Sequence, residues 1–186
     1  MYRAIAYSMD RNGIAPIESE RLISHLSLMN VRFEGGCVFV NEQDFTALIR
    51  SDLVDGIVSA YSALKTVRKT LLGLQRTQAS YGELVAEGRD MGTVVFPDAN
   101  VKFFLTAAPE ARAERRYKEL LKKGETVLYD EVLSRILERD RIDTDREFSP
   151  LKEPADSVRV DTSYMTEDEV VAQLASVVRS MMVNEF

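Results

Sequence analysis

An arginine and an aspartate stand side by side between two glycines in Glu87-Gly88-Arg89-Asp90-Met91-Gly92. Glycines let a backbone turn and come close to a ligand, the guanidinium offers a planar fork matched to phosphate oxygens, and the carboxylate is an acceptor at the same point. The plain alternative is a turn whose Arg and Asp pair with each other. A second constellation is Arg139-Asp140-Arg141-Ile142-Asp143-Thr144-Asp145-Arg146. Steps of four and three put Arg139, Asp143 and Arg146 on one helical face if the helix persists that far. Two guanidiniums flanking a carboxylate can clamp a phosphate while the carboxylate accepts from a sugar hydroxyl. The plain alternative is an ion-pair ladder worth about 0.3–0.5 kcal/mol per pair.

A third group, Arg112, Arg115 and Arg116, shares one face of another expected helix. Three cations so close repel unless anions neutralise them, and Glu110, Glu114 and Glu119 are near enough to do so. In a phosphoryl-transfer site such a face covers the donor's phosphates or spreads transition-state charge. Ser59, Lys65, Arg68 and Lys69 look like ordinary helix-surface residues.

Composition frames these groups. The chain has 186 residues, a net charge of −6, and 17 Arg against 7 Lys, with eight of the arginines between Arg89 and Arg146. Local arginine clusters in an acidic chain point to anion handling at a site and away from bulk nucleic-acid binding. A single cysteine, Cys37, and a single histidine, His25, leave no disulfide framework and no His/Cys zinc site, so no metal ligands are assigned. No apolar run approaches the roughly 20 residues of a membrane span, and the expectation is a cytoplasmic protein.

The elements expected to position these residues are as follows. Helices are expected over 2–11, ending at Asn12-Gly13, and over 18–27. Short strands at 30–34, 37–41 and 44–46, with Gly35-Gly36 as a hairpin signal, form an antiparallel insert over about 28–48. Two helices follow, about 52–64 and 66–80. Strands at 84–87, 101–105 and 157–161 then alternate with helices, one beginning near Pro109 and ending before Gly124, and one over about 129–141. Thr166 and Glu169 form a capping box, and Val170, Val171, Leu174, Val177, Val178, Met181 and Met182 make a helical stripe expected in the core.

Glu87-Gly-Arg-Asp-Met-Gly-Thr-Val-Val-Phe-Pro-Asp-Ala99 resembles the signature block of bacterial cytidylate kinases. Arg115-Arg-Tyr-Lys-Glu-Leu120, the Arg139, Asp143 and Arg146 series, Ser149-Pro-Leu151 and Asp161-Thr-Ser163 resemble later blocks of that family, in order. The resemblance implies an α/β fold: a P-loop kinase-like parallel sheet with helices on both faces, plus a small antiparallel insert that binds the nucleoside monophosphate. It implies a core kinase domain of 1–23 and 57–186, a lid at about 115–127, and a CMP-binding insert at 24–56. The implied reaction moves the γ-phosphoryl of ATP to CMP or dCMP with Mg²⁺, in a monomer whose partners are these small nucleotides and no membrane. By the same resemblance Arg3, Arg89 and Arg146 hold the acceptor phosphate, and Ser59, Arg68 and Asp90 read cytosine. Arg139 and Asp143 reach the ribose and the neighbouring phosphate. Arg89, Arg139 and Arg146 are the catalytic candidates, and Arg115 and Arg116 face ATP from the lid.

The chain departs from the family in one respect. No G-x-x-x-x-G-K-[ST] phosphate loop occurs among its residues, and Met1-Tyr-Arg-Ala4 resembles a point after the family's second strand. The expectation is therefore an incomplete sheet lacking its first two strands, in a shortened, inactive form of a longer kinase. A catalytically dead CMP-binding or regulatory module is the alternative, as is a half-enzyme completed by a separate chain.

Overall fold

The computed structural model describes residues 1–183, which divide into one compact unit of Met1–Glu87 with Asp145–Pro150 and a second of Gly88–Thr144 with the chain from Leu151 on. The first unit is built on four helices: α1 (Tyr2–Arg11), α2 (Glu20–Ser27), α3 (Asp52–Ser62) and α4 (Lys65–Thr77). Their apolar faces meet in a core of Ile5, Met9, Leu22, Leu26, Val54, Val58, Tyr61, Val67 and Leu71. Helix α1 stops where expected: Asn12 is its C-cap, and Gly13, at φ +61°, takes the left-handed turn. Tyr61 reaches across this core, its hydroxyl donating to the Ile14 carbonyl at 2.5 Å.

Beside the helices lies an antiparallel sheet of β1 (Val31–Glu34), β2 (Cys37–Val40) and β3 (Gln43–Asp44). Glu34 pairs with Cys37 across Gly35 and Gly36, both at positive φ, as a two-residue hairpin demands. Val31, Val38 and Val40 bury one face against Ala4, Phe45 and Ile49. The third strand is shorter than the sequence suggests, because Phe45 already turns inward to that cluster.

The second unit is α/β. Strands β4 (Phe103–Thr106) and β5 (Val158–Asp161) pair in parallel from Phe103–Val158 to Thr106–Asp161. Helices α5 (Pro109–Lys122) and α6 (Tyr129–Asp145) pack through Ala113, Leu120 and Val132, and α7 (Glu167–Val183) closes the chain. Pro109 opens α5, and Gly124 sits past its end at φ +81°.

Three expectations are corrected. Leu84–Glu87 forms no strand: Val85 is fully exposed and, among the described residues, no strand lies alongside to complete a ladder. An apolar run becomes a strand only when another strand satisfies its backbone. The α7 stripe is not core either. Val170, Leu174, Val177 and Val178 are half-buried, and Val171 and Met181 are exposed; the Met182 side chain lies outside the described residues. Helical period shows which residues share a face, not whether another element covers it. The α7 capping box does form, with Thr166 N–H donating to Glu169 Oε2 at 2.8 Å and Glu169 N–H to Thr166 Oγ1 at 3.3 Å. Finally, α6 ends at Asp145, one residue short of Arg146, so Arg146 does not share the helical face of Arg139 and Asp143.

Candidate functional site

In the second unit, the Arg89–Asp90 pair leads into a π-helical turn at Met91–Val95. The Asp90 carbonyl accepts from Val94 N–H at 2.9 Å and Val95 N–H at 3.1 Å, and Met91 O accepts from Phe96 N–H at 2.7 Å. Such single π turns are rare and recur at functional sites. Neither Gly88 nor Gly92 uses a positive φ; each instead makes room for a neighbour. A Cβ on Gly88 would stand 2.9 Å from Met91 Cε, and one on Gly92 would stand 3.0 Å from Pro154 Cγ and 3.3 Å from Lys102 Cδ. The close approach expected of these glycines is thus made by the protein's own side chains.

Arg89 does not simply pair with its neighbour. Its Nε donates to Asp143 Oδ2 at 2.8 Å, and Arg139 Nε lies 4.0 Å from the same oxygen. The Asp143 carboxylate is nearly sealed, at 4% side-chain exposure, while both arginines are 42% exposed. A buried anion thus orients the half-exposed Arg89 guanidinium through a charge-assisted hydrogen bond, with Arg139 a second cation near the same oxygen. Asp90, next to Arg89, is itself buried.

The arginines of α5 find partners other than the neighbouring glutamates expected for Arg112 and Arg115. Arg112 makes a bidentate pair with Asp140 of α6, at 2.8 and 2.6 Å, and its Nε donates to Ala107 O. That hydrogen-bonded pairing holds the guanidinium's pKa above its ordinary value. Arg115 donates to the carbonyls of Thr162 and Ser163 just past β5, and Arg116 pairs with Glu119 at 2.8 Å. Two of the three therefore fasten α5 to the rest of its unit.

In the first unit, Arg3 donates to Asp55 Oδ1 at 2.5 Å and to the Ile49 carbonyl at 3.0 Å. Arg68 is buried on α4, donates to Tyr2 Oη at 3.3 Å and lies 5.0 Å from the Tyr2 ring centroid. Ser59 is half-buried on α3. Arg146 is buried, its Nε donating 2.7 Å to the carbonyl of Ser149, itself at φ +51°. Lys65 Nζ sits 4.4 Å from the Phe148 ring centroid. The structure thus brings Arg89 and Arg139 to the Asp143 carboxylate, while within the first unit Arg3 meets Asp55 and Arg68 meets Tyr2.

The family model described as cytidylate kinase matches residues 1–180. The chain belongs to the cytidylate kinase family. It is 43% identical over 182 residues to the cytidylate kinase of Carboxydothermus hydrogenoformans, covering 96% of this chain and 82% of that protein. It is 40% identical over 185 residues to that of Clostridium tetani, covering 100% and 82%. Against that of Clostridium botulinum strain Langeland it is 40% identical over 179 residues, covering 96% and 82%.

Cytidylate kinases use ATP and Mg²⁺. Among the described residues, no group of three or more His, Cys, Asp or Glu side chains could hold a metal ion. Nor is any helix among them long and apolar enough to cross a membrane. Asp55, Asp140, Tyr2 and Lys102 escaped the sequence reading. A lysine inside the apolar run Val101-Lys102-Phe103-Phe104-Leu105 was the signal available for the last of them.

Proposed function

We propose that this cytidylate-kinase-family chain captures CMP or dCMP as the acceptor of the γ-phosphoryl of ATP, giving CDP or dCDP in the complete reaction. The observation that carries the reading is the buried Asp143 carboxylate, which bonds Arg89 at 2.8 Å and has Arg139 4.0 Å away; Asp90, next to Arg89 in the chain, is also buried. Phosphoryl transfer asks a protein for positioning and for cations around the equatorial oxygens; an Arg89 held by Asp143, with Arg139 nearby, supports that reading.

In the second unit, Arg89 holds the acceptor phosphate, Asp90 accepts from the cytosine N4 amine, and Arg139 and Asp143 serve the ribose and the neighbouring phosphate. Arg115 and Arg116 belong to a lid, about 115–127, over ATP. In the first unit, Arg3 and Arg146 hold phosphate oxygens, while Ser59 and Arg68 read the base within a CMP-binding segment and its flanks. Arg89, Arg139 and Arg146 carry the catalytic charge. Cytosine N3 and O2 accept from a guanidinium, and its N4 donates to a carboxylate or hydroxyl, so Arg, Asp and Ser are side-chain types suited to its edge. The enzyme works in the cytoplasm as a monomer.

The 186 residues contain no G-x-x-x-x-G-K-[ST] loop. That observation favours a second reading, in which this chain alone binds CMP without transferring phosphoryl groups. Two measurements on one preparation separate the readings. CMP raising the melting temperature supports acceptor capture, and no CMP-dependent shift overturns it. Phosphoryl transfer to CMP by the chain alone would rule out the binding-only reading.

A further inference from the structure

We infer that Lys102 is a positioning residue that holds the π-helical turn after Asp90 in place and thereby sets where the Asp90 carboxylate sits. The inference rests on the proposed reading of cytosine by Asp90.

Lys102 sits at the mouth of β4, where its carbonyl accepts from Val158 N–H at 2.8 Å and is tied into the parallel sheet. Its side chain does not project into water as a surface lysine would; it is 7% exposed. The stem runs over Gly92, inside the turn, where a Cβ would meet Lys102 Cδ at 3.3 Å and the Pro154 ring at 3.0 Å, tighter than ordinary contact. The ammonium donates to the Pro97 carbonyl, two residues past the turn, and to Asp156 Oδ2 at 2.6 Å. That hydrogen bond holds the Asp156 carboxyl below its ordinary range. Ser157 anchors the same segment, its N–H and hydroxyl both donating to Pro154 O, at 3.1 and 2.7 Å.

One buried side chain therefore touches the turn at its second residue and the chain just beyond its end, and is itself bolted to the sheet. Burying an ammonium is costly unless its donors are satisfied, so a lysine with two partners at this position fixes a geometry that an apolar residue would leave loose. The geometry it fixes is that of the Asp90 carbonyl's two bonds to Val94 and Val95, hence the backbone that carries the Asp90 side chain.

The test uses the full chain with Lys102→Met, which keeps the stem and removes the charge, and Gly92→Ala, whose methyl presses on the stem and on the Pro154 ring. Hydrogen exchange at the Val94 and Val95 amides is compared with exchange at Val158 and Thr162 in the sheet. The turn amides are expected to exchange about tenfold faster or more in both variants, with the sheet amides unchanged, the scale of one lost charge-assisted hydrogen bond. Calorimetric binding of CMP and UMP to the same variants is expected to show a reduced preference for CMP. Unchanged exchange at Val94 and Val95 overturns the inference, as does faster exchange with the CMP/UMP ratio intact. If Lys102→Met loses sheet protection as well, it has lost its fold and Gly92→Ala decides. If the unaltered protein binds neither nucleotide, base reading by Asp90 falls, while the exchange comparison still decides whether Lys102 holds the turn.

Discussion

Arg89 donates its Nε to Asp143 Oδ2 at 2.8 Å across 54 residues of chain, from a half-exposed position to a nearly sealed carboxylate. The asymmetry matters. A buried anion cannot follow its partner into solvent, so the guanidinium is held where the anion is, with its terminal nitrogens left for other acceptors. Removing the anion removes both the alignment and the charge balance. Asp143→Ala is expected to cost about 2 kcal/mol, between the roughly 1 of an exposed pair and the 3–5 of a wholly buried one. Arg89→Ala should cost less, because Arg139 remains 4.0 Å away. Urea midpoints of the two variants check the order, and an Asp143→Ala protein as stable as the parent contradicts it.

Arg112 and Asp140 tie α5 to α6 through two parallel bonds of 2.8 and 2.6 Å. Lysine cannot reproduce a fork, so Arg112→Lys should behave nearly like Arg112→Ala despite keeping the charge. Both groups are about one-third exposed, which limits the coupling to about 1 kcal/mol in a double-mutant cycle with Asp140→Ala. A coupling near zero would mean that the pair is incidental to helix packing.

The capping box of α7 provides a pH test. The Thr166 backbone N–H, followed by its hydroxyl, holds the Glu169 carboxyl below the ordinary range. A carboxyl whose folded pKa is depressed contributes stability above its unfolded pKa and loses it as pH falls through the folded value. Helix content at the α7 terminus should therefore drop in the acid range below about pH 4, near the carboxylate's ordinary pKa. Glu169→Gln retains an acceptor for the Thr166 N–H but does not titrate, so its helix signal should lose that acid-limb step. NMR amide shifts of residues 166–170 across an acid titration read both proteins; the same step in Glu169→Gln assigns it elsewhere.

What could be read from the sequence was what short-range chemistry decides. Gly35-Gly36 signals its hairpin because both positions need positive φ, and Thr166 and Glu169 signal a cap because their bonds close within one turn. Arg139 and Asp143 are four residues apart on a helix, and their proximity follows. What escaped depends on distant chain. Leu84–Glu87 has strand composition, but pairing depends on a neighbour that composition does not reveal. The α7 stripe has helical period, but period does not say how much of it is covered: Val170, Leu174, Val177 and Val178 are half-buried and Val171 is exposed. Arg112 shares a face with Arg115 and Arg116, yet its anion, Asp140, lies 28 residues on in another helix. Lys102 could be seen as odd within an apolar run, but nothing in the run says that its ammonium turns back to Pro97 and Asp156.

Asp90 offers the most direct test of base reading. Cytosine presents an N4 amine where uracil presents a carbonyl, so a carboxylate there attracts the first and repels the second. Asp90→Asn keeps the shape, removes the charge and gives the position an amide that can donate as well as accept. CMP should lose about ten- to a hundredfold in affinity, the scale of a charge-assisted bond, whereas UMP should lose little or gain. Calorimetry with both nucleotides on parent and variant decides it. Equal losses would move Asp90 from reading the base to supporting the turn that begins at Met91, where its carbonyl already holds the Val94 and Val95 amides.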